Sequence, residues 1–476
     1  MNMAKFKISN FFIYRWRNVI GYSLVAIGLI LILIFISLYL PGGITNAEIQ
    51  SVIKSNSINM FDYWSMNVIN LPYHLLQHTS FFLFGVTIFS IKLPSIILAF
   101  LSIIGLTLLL RQWFNPNIGI LATLIAITTG QLLFIAQSGT SEILYLFWPV
   151  WILLLASLIP ISNRFRKIYI AGFVALASLS LYTPLSIYVL LVIAGAIILH
   201  PHLRYYIKQL TKIELIGGSA LILILVAPLL IAIYKSPNLI LTLFGLPNIW
   251  PNIIDNLVLL ANQYLNFANP GGSTIFTPFF ELGSILVILL GIYFVIKTKF
   301  TAKSYIVILW ILLLTPIIII NPSFTFITFL PLVILLASGL NGLLAHWYEL
   351  FPRNPYARIS GLVPIIILVS VLVIAGTNRY IYEYRYNPNI VPNFSQDIQL
   401  IPSSSTNIVV ADNELAFYQI IAKYDKKLVI STVPSGETML VSRAASKPLA
   451  GYTISKIITS PMSEQSDRFY LYTKSI

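Results

Sequence analysis

The chain has 476 residues, 58% hydrophobic and 9% charged, with a formal net charge of +14. Soluble globular domains carry about 25% charged residues, so that class is excluded, and the apolar content excludes disordered and collagen-like chains. Cysteine is absent, which removes disulfides, thiolate zinc sites and cysteine nucleophiles. What remains is an all-α polytopic membrane protein.

A membrane-crossing helix needs about 20 apolar residues. Eleven runs approach that length: 19–40, 90–110, 118–136, 143–160, 168–182, 185–199, 213–234, 279–296, 304–320, 325–345 and 359–376. The run 168–182 is short and breaks at Thr183-Pro184. The first run is longer than a signal-peptide core and no small-residue cleavage site follows it, so it reads as a retained anchor.

Basic residues sort to one side of these spans. Lys5, Lys7, Arg15 and Arg17 precede the first run; Arg111, Arg164, Arg166, Lys167, Arg204, Lys208, Lys212, Lys297, Lys299, Lys303, Arg353 and Arg358 follow even-numbered ones. Up to residue 376 the opposite side holds Lys54 and Lys235, with Lys92 just inside the second run. The positive-inside rule then predicts a cytoplasmic N-terminus and an extracytoplasmic C-terminus, and the expected location is the plasma (inner) membrane. Spread over short loops, the positive charge reports topology and argues against nucleic-acid binding. Glu48, Asp62, Glu142, Asp255 and Glu281 fall on or near the outer face, which directs attention there for acid–base chemistry.

Two outer loops are long. Within 41–89, residues 47–58 and 72–84 mix apolar and polar positions like helices lying in the interface, the second opening with Pro72. Loop 235–278 places Trp250, Tyr264 and Phe267 among Asn, Pro and Gly. Beyond Gly376 no membrane-length run remains. Strands are predicted at 407–411, 427–432, 439–443 and 469–473 and a helix at 414–424, after a linker at 401–406. The expected domains are therefore a transmembrane domain, 1–376, and a small extracytoplasmic α/β domain, 377–476.

The candidate chemistry lies in the outer loops. Glu48, shielded by apolar loop helices, would suit a general base, and Thr45-x-x-Glu48 also fits a capping box. Glu142 opens the fourth span, where the helix dipole favours an acid whatever its function. Lys92 is either a snorkelling lysine or a fixed cation for a lipid-linked phosphate at headgroup depth. His74 and His78 share a helix face, a spacing compatible with metal, although no metal or other cofactor is firmly implied. Asp62 reads as a loop carboxylate; Trp250 and Tyr264 read as interface aromatics or sugar-stacking groups. No P-loop, dinucleotide fingerprint, zincin motif or serine elbow is present.

In order, residues 41–115 show Thr45-Asn-Ala-Glu48, Leu71-Pro72-Tyr73, Leu83-Phe-Gly85, Lys92-Leu-Pro-Ser95 and Leu110-Arg-Gln-Trp-Phe114. This succession resembles the GT-C glycosyltransferases of the protein O-mannosyltransferase and aminoarabinose transferase kind. Weaker echoes run to about Gly342: Phe134-x7-Glu142, Tyr264-Leu-Asn-Phe267 and the segment from Leu330 to Gly339. The resemblance implies a GT-C-like fold, a polyprenyl-phosphate-linked sugar as donor, and an envelope acceptor (glycan, lipid or protein) on the outer face. Glu48, with Glu142, would be catalytic and Lys92 would bind the donor phosphate, while Asp62, His74, Tyr264 and Trp250 would line the substrate pocket. The family usually has Asp-Glu where this chain has Ala47-Glu48. That difference motivates an alternative, a catalytically inactive scaffold for envelope assembly; a lipid or solute transporter is a second alternative, against which stand few intramembrane charges and no inverted repeat.

Overall fold

The computed structural model describes residues 16, 19–28, 43–58, 68–161, 164–247, 249–267, 279–350, 356, 360–385, 390–447, 449–460 and 466–475. Those residues divide into two compact units. One draws on 1–33, 98–136 and 142–381, the other on 34–97, 137–141 and 382–476. No single boundary at Gly376 separates them, because residues 34–97 group with the C-terminal segment.

The first unit is helical. Its elements in chain order are Val19–Gly28 (α1) and, after two helices of the second unit, Ile88–Trp113 (α4), which the two units share. Then follow Pro116–Thr128 (α5), Gly130–Gln137 (α6), Leu144–Leu158 (α7), Arg166–Ser180 (α8), Ile187–Leu199 (α9) and Pro201–Lys208 (α10). Lys212–Lys235 (α11), Leu239–Leu243 (α12), Ile253–Leu265 (α13), Leu282–Lys297 (α14), Ala302–Ile320 (α15), Phe329–Leu350 (α16) and Leu362–Arg379 (α17) complete it. Among the described residues six helices are long and apolar enough to cross a membrane, or up to eight when α5 with α6 and α9 with α10 each count as one bent span.

The expected count of about eleven is therefore not reached by length, and the reasons are local. The remainder of the first run lies outside the described residues. α8 has 15 residues and stops before Thr183-Pro184, and α14 has 16. The run 118–136 folds as two helices meeting at 64°, and α10 turns 99° from α9. These are nonetheless the helices of an integral membrane protein. α14 and α16 pack tightly because Gly291 and Gly339 face backbone carbonyls of the opposite helix, Leu335 and Val287, at a separation that leaves no room for a Cβ.

The second unit contains the loop-one helices Asn46–Asn56 (α2) and Leu71–Phe84 (α3), the start of α4, and the C-terminal α/β region. That region comprises Asp397–Leu400 (α18), Asn407–Val409 (β1), Asp412–Tyr424 (α19), Val429–Ser431 (β2), Thr438–Ser442 (β3), Tyr452–Thr459 (β4) and Asp467–Lys474 (β5). The sheet order is β2-β1-β3-β5-β4, with β1 parallel to both neighbours and β5 antiparallel to both of its own. Ile408 pairs with Leu440 at the centre. One hydrophobic core joins the loop to the sheet: Val52, Phe81, Val86 and Ile91 pack with Ile408, Phe417, Ile421, Leu440 and Phe469. Hydrophobic burial thus ties the two ends of this discontinuous unit together.

Candidate active site

Glu48 occupies the third position of α2. Thr45 caps that helix: its Oγ1 accepts from the Glu48 amide at 3.3 Å, and Glu48 Oε2 accepts from the Thr45 amide at 2.6 Å. The reciprocal capping box read from Thr45-x-x-Glu48 is present. The other carboxylate oxygen, Oε1, accepts from the Gly139 amide at 2.6 Å and lies 3.6 Å from Lys92 Nζ. Gly139 is required here, since a Cβ would stand 2.6 Å from the Ile91 side chain and 3.1 Å from Glu48 Oε1.

Lys92 sits near the start of α4. Its Nζ donates to the Gly43 carbonyl at 2.8 Å and lies 5.8 Å from the centre of the Phe394 ring. Glu48 and Lys92 are each 1% exposed, so both charges are desolvated and compensate one another. A buried pair of this kind leaves an uncompensated charge when either member is removed, which is why its two halves act as one unit.

The Leu-Pro-Ser segment that follows has a structural reading of its own. Pro94 carries no N–H, so the Ser90 carbonyl loses its helical partner four residues on, and Ser80 Oγ donates to that carbonyl instead at 2.7 Å. Ser95 Oγ donates to the Thr140 carbonyl at 3.1 Å, and Gln77 Nε2 donates to the carbonyls of both Ile91 (2.9 Å) and Gly139 (3.1 Å). Asn70 Nδ2 donates to Ser141 Oγ at 2.7 Å. Residues 137–141 are therefore strapped from four sides against α3, α4 and Glu48. Sequence reasoning passed over Gln77 and Gly139. Gln77 carries a recoverable signal, lying three residues after His74 on the buried face of α3, whereas a glycine contributing only its amide carries none.

His74 is buried. Its Nδ1 lies 2.7 Å from Ser55 Oγ, which donates to Gln77 Oε1 at 2.6 Å, while Ser51 Oγ donates to the same oxygen at 2.9 Å. Burial, aided by repulsion from Lys54, lowers the His74 pKa to about 4, so the ring is neutral near pH 7. His78 Nδ1 stands 3.2 Å from the Ser55 carbonyl. Both imidazoles thus turn to α2, and among the described residues no three His, Asp or Glu side chains gather as a metal site.

Asp62 lies outside the described residues. Glu142 belongs to the first unit, exposed in a three-ten turn Ser141–Ile143. Trp250 is 70% exposed. Tyr264 stacks on Phe279 with ring centres 5.1 Å apart, and its hydroxyl lies 2.6 Å from Thr328 Oγ1; burial pushes its pKa up to about 12. The structure therefore brings together Glu48, Lys92 and, through Gln77, His74.

Residues 72–231 match the family model for dolichyl-phosphate-mannose-protein mannosyltransferase. No curated protein matches the sequence. Among solved structures, the chain is similar to ArnT from Cupriavidus metallidurans bound to undecaprenyl phosphate, with a TM-score of 0.56 and 12% identity, over 95% of this chain and 97% of that one. It is similar to the oligosaccharyltransferase of Archaeoglobus fulgidus tethered to an acceptor peptide, with a TM-score of 0.52 and 12% identity over 87% and 64% of the two chains. The archaeal oligosaccharyltransferase AglB from Archaeoglobus fulgidus, in complex with an inhibitory peptide and a dolichol-phosphate, gives a TM-score of 0.50 at 12% identity, over 90% and 70%. The resemblance read from loop one is borne out: the chain has the fold of the GT-C glycosyltransferases.

Proposed function

From the GT-C fold we propose that the protein is a membrane glycosyltransferase that moves a sugar from a polyprenyl-phosphate donor to an envelope acceptor on the outer face. The observation that carries this reading is the Glu48–Lys92 pair, a carboxylate and an ammonium 3.6 Å apart in the loop-one unit. The family match and the polyprenyl-phosphate and dolichol-phosphate bound by similar folds support the choice of donor.

The roles follow from charge exchange. The donor phosphate, an anion, takes the place of Glu48 beside Lys92, and the displaced carboxylate turns to the acceptor. The acceptor hydroxyl oxygen then bonds to the anomeric carbon as the bond from that carbon to the phosphate oxygen breaks. The hydroxyl proton passes to Glu48 and the electron pair leaves with polyprenyl phosphate, whose charge Lys92 balances. Lys92 is the phosphate-binding group and Glu48 the base; Glu142, Asp62, Tyr264 and Trp250 remain candidates for the substrate side. The plasma membrane and an extracytoplasmic C-terminal region belong to the same proposal, resting on the distribution of basic loops.

The second reading, a scaffold without catalysis, is favoured by a specific observation. The Glu48 carboxylate already accepts from two amides and faces Lys92, a set that accounts for its burial without any substrate. Turnover of a polyprenyl-phosphate-sugar in reconstituted membranes decides between them. Loss of turnover in a folded Glu48→Gln protein supports transfer; undiminished turnover removes Glu48 from the mechanism, and a wild-type protein without turnover leaves the scaffold.

A further inference from the structure

A second polar site lies in the helical unit, at the helix ends that carry the basic loops. A cavity of about 340 Å³ opens between the C-terminal ends of α14 and α16, the first turn of α15 and Phe114, just beyond α4. That volume is within the range of small-ligand pockets, roughly 300–1,000 Å³. Lys297 closes α14 and Lys303 opens α15, and both line the cavity. Lys303 Nζ donates to the Trp113 carbonyl at 2.8 Å and lies 4.3 Å from the centre of the Phe114 ring, which fixes the ammonium and leaves about two of its three N–H donors for another acceptor.

The charges around the cavity do not cancel. Glu349 also lines it, on the exposed end of α16, so two ammonium groups stand against one solvated carboxylate. Among the described residues neither lysine has a carboxylate within ion-pair distance. The wall also changes character with depth. Ile334, Ser338, Gly342 and His346 recur every four residues along one face of α16, so the lining runs from a charged mouth to an apolar end. At about 1.5 Å per residue this stripe is about 18 Å long. Val307 of α15 continues the apolar end.

We propose that this cavity binds a phosphate headgroup of an anionic membrane lipid, with the phosphate between Lys297 and Lys303 and the apolar part of the lipid directed toward Ile334 and Val307. A cationic mouth over an apolar interior is the pattern expected of an amphipathic anion, and basic pockets between spanning helices serve this purpose in other membrane proteins. A free phosphate would use the lysines and leave the inner wall without a partner. The site is independent of Glu48 and Lys92 and of any transfer reaction.

The test uses the full chain in phosphatidylcholine nanodiscs, with phosphatidylglycerol as the lipid probe and inorganic phosphate as the soluble one. Native mass spectrometry reads the retained lipid. Each lysine neutralised near an anionic headgroup weakens attraction by about fivefold, so Lys297→Gln with Lys303→Gln lowers phosphatidylglycerol retention on the order of twentyfold. Lys299→Gln, outside the cavity, retains it. Ser338→Leu, which fills the interior, displaces the lipid while leaving both cations, and with Lys297→Gln alone it carries the test should loss of the Lys303 hydrogen bond impair folding. Equal retention in wild type and the cavity variants overturns the proposal, as does equal loss in Lys299→Gln. Inorganic phosphate that binds with the same dependence on both lysines and is unaffected by Ser338→Leu overturns the lipid assignment in favour of a soluble phosphate compound.

Discussion

Ile44 and Ser395 exchange two backbone hydrogen bonds of 2.8 Å, an isolated bridge between the loop that precedes α2 and the C-terminal segment. The residues beside that bridge hold Lys92: Gly43 accepts its hydrogen bond and Phe394 presents a ring to it. The bridge depends on Gly43, where a Cβ would stand 2.6 Å from the Ser395 carbonyl oxygen.

Gly43→Ala is therefore expected to destabilise this unit by about 1–3 kcal/mol, because the obstructing atom is backbone and cannot rotate away. Limited proteolysis within 390–400 is the readout. Faster cleavage than wild type is expected; unchanged cleavage means that the bridge does not hold the segment.

The Glu48–Lys92 pair separates stability from chemistry through a double-mutant cycle. Removing either charge alone leaves the other buried and unpaired, at a cost of roughly 3–5 kcal/mol, whereas Glu48→Leu with Lys92→Met together costs less than the sum of the two, the remaining loss coming from the Gly139 amide and Gly43 carbonyl left without partners. The double variant is expected to fold and to lack donor turnover. Thermal unfolding and turnover measured on the same preparations check this, and a folded, fully active double variant removes both residues from the proposed mechanism.

Much of this arrangement was legible in the sequence where the cause is local. Thr45 and Glu48 announce a cap because the two hydrogen bonds close over three residues, and the loop helices expected at 47–58 and 72–84 appear as α2 and α3. β1 and β3 were legible from their apolar runs, since both are central and buried. β4 was missed for a physical reason: it is an edge strand, largely exposed, and a register shift between Ile454 and Lys456 breaks its two-residue alternation. Lys92 gave no sign that its partner would be Glu48 rather than headgroup phosphate, because the pairing depends on how distant segments pack. The bent helix pairs escaped for a similar reason, since hydropathy registers length and is blind to direction.

His74 gives the loop-one unit a dependence on pH. Its pKa is lowered from 6.5 to about 4 by burial and, secondarily, by Lys54. Between those values the unfolded chain binds a proton that the folded chain refuses. The full stability is thus present above pH 6.5 and declines as pH falls toward 4, by roughly 3 kcal/mol in total. Denaturant unfolding at stepped pH is expected to show this slope, and His74→Gln to flatten it. Equal slopes in the two proteins locate the acid sensitivity elsewhere.

The contact between α14 and α16 makes the last prediction, one about membrane packing. A Cβ at Gly339 would collide with the Val287 carbonyl, and one at Gly291 with that of Leu335, so each glycine lets a backbone approach that a larger residue forbids. In lipid the helices gain nothing from hiding apolar surface from one another, so close van der Waals contact is what holds such a pair. Gly339→Val forces the helices apart and forfeits that contact along their length. A loss near 3 kcal/mol is expected, the upper part of the usual range for overpacking, because neither obstructing carbonyl can yield without moving its helix. Unfolding in mixed micelles by sodium dodecyl sulfate measures the loss. Gly217→Val, on the open face of α11 where nothing stands within 4 Å of a Cβ, provides the comparison and is expected to change stability by less than about 1 kcal/mol. Similar losses at the two positions mean that valine itself, and not helix separation, is the cause.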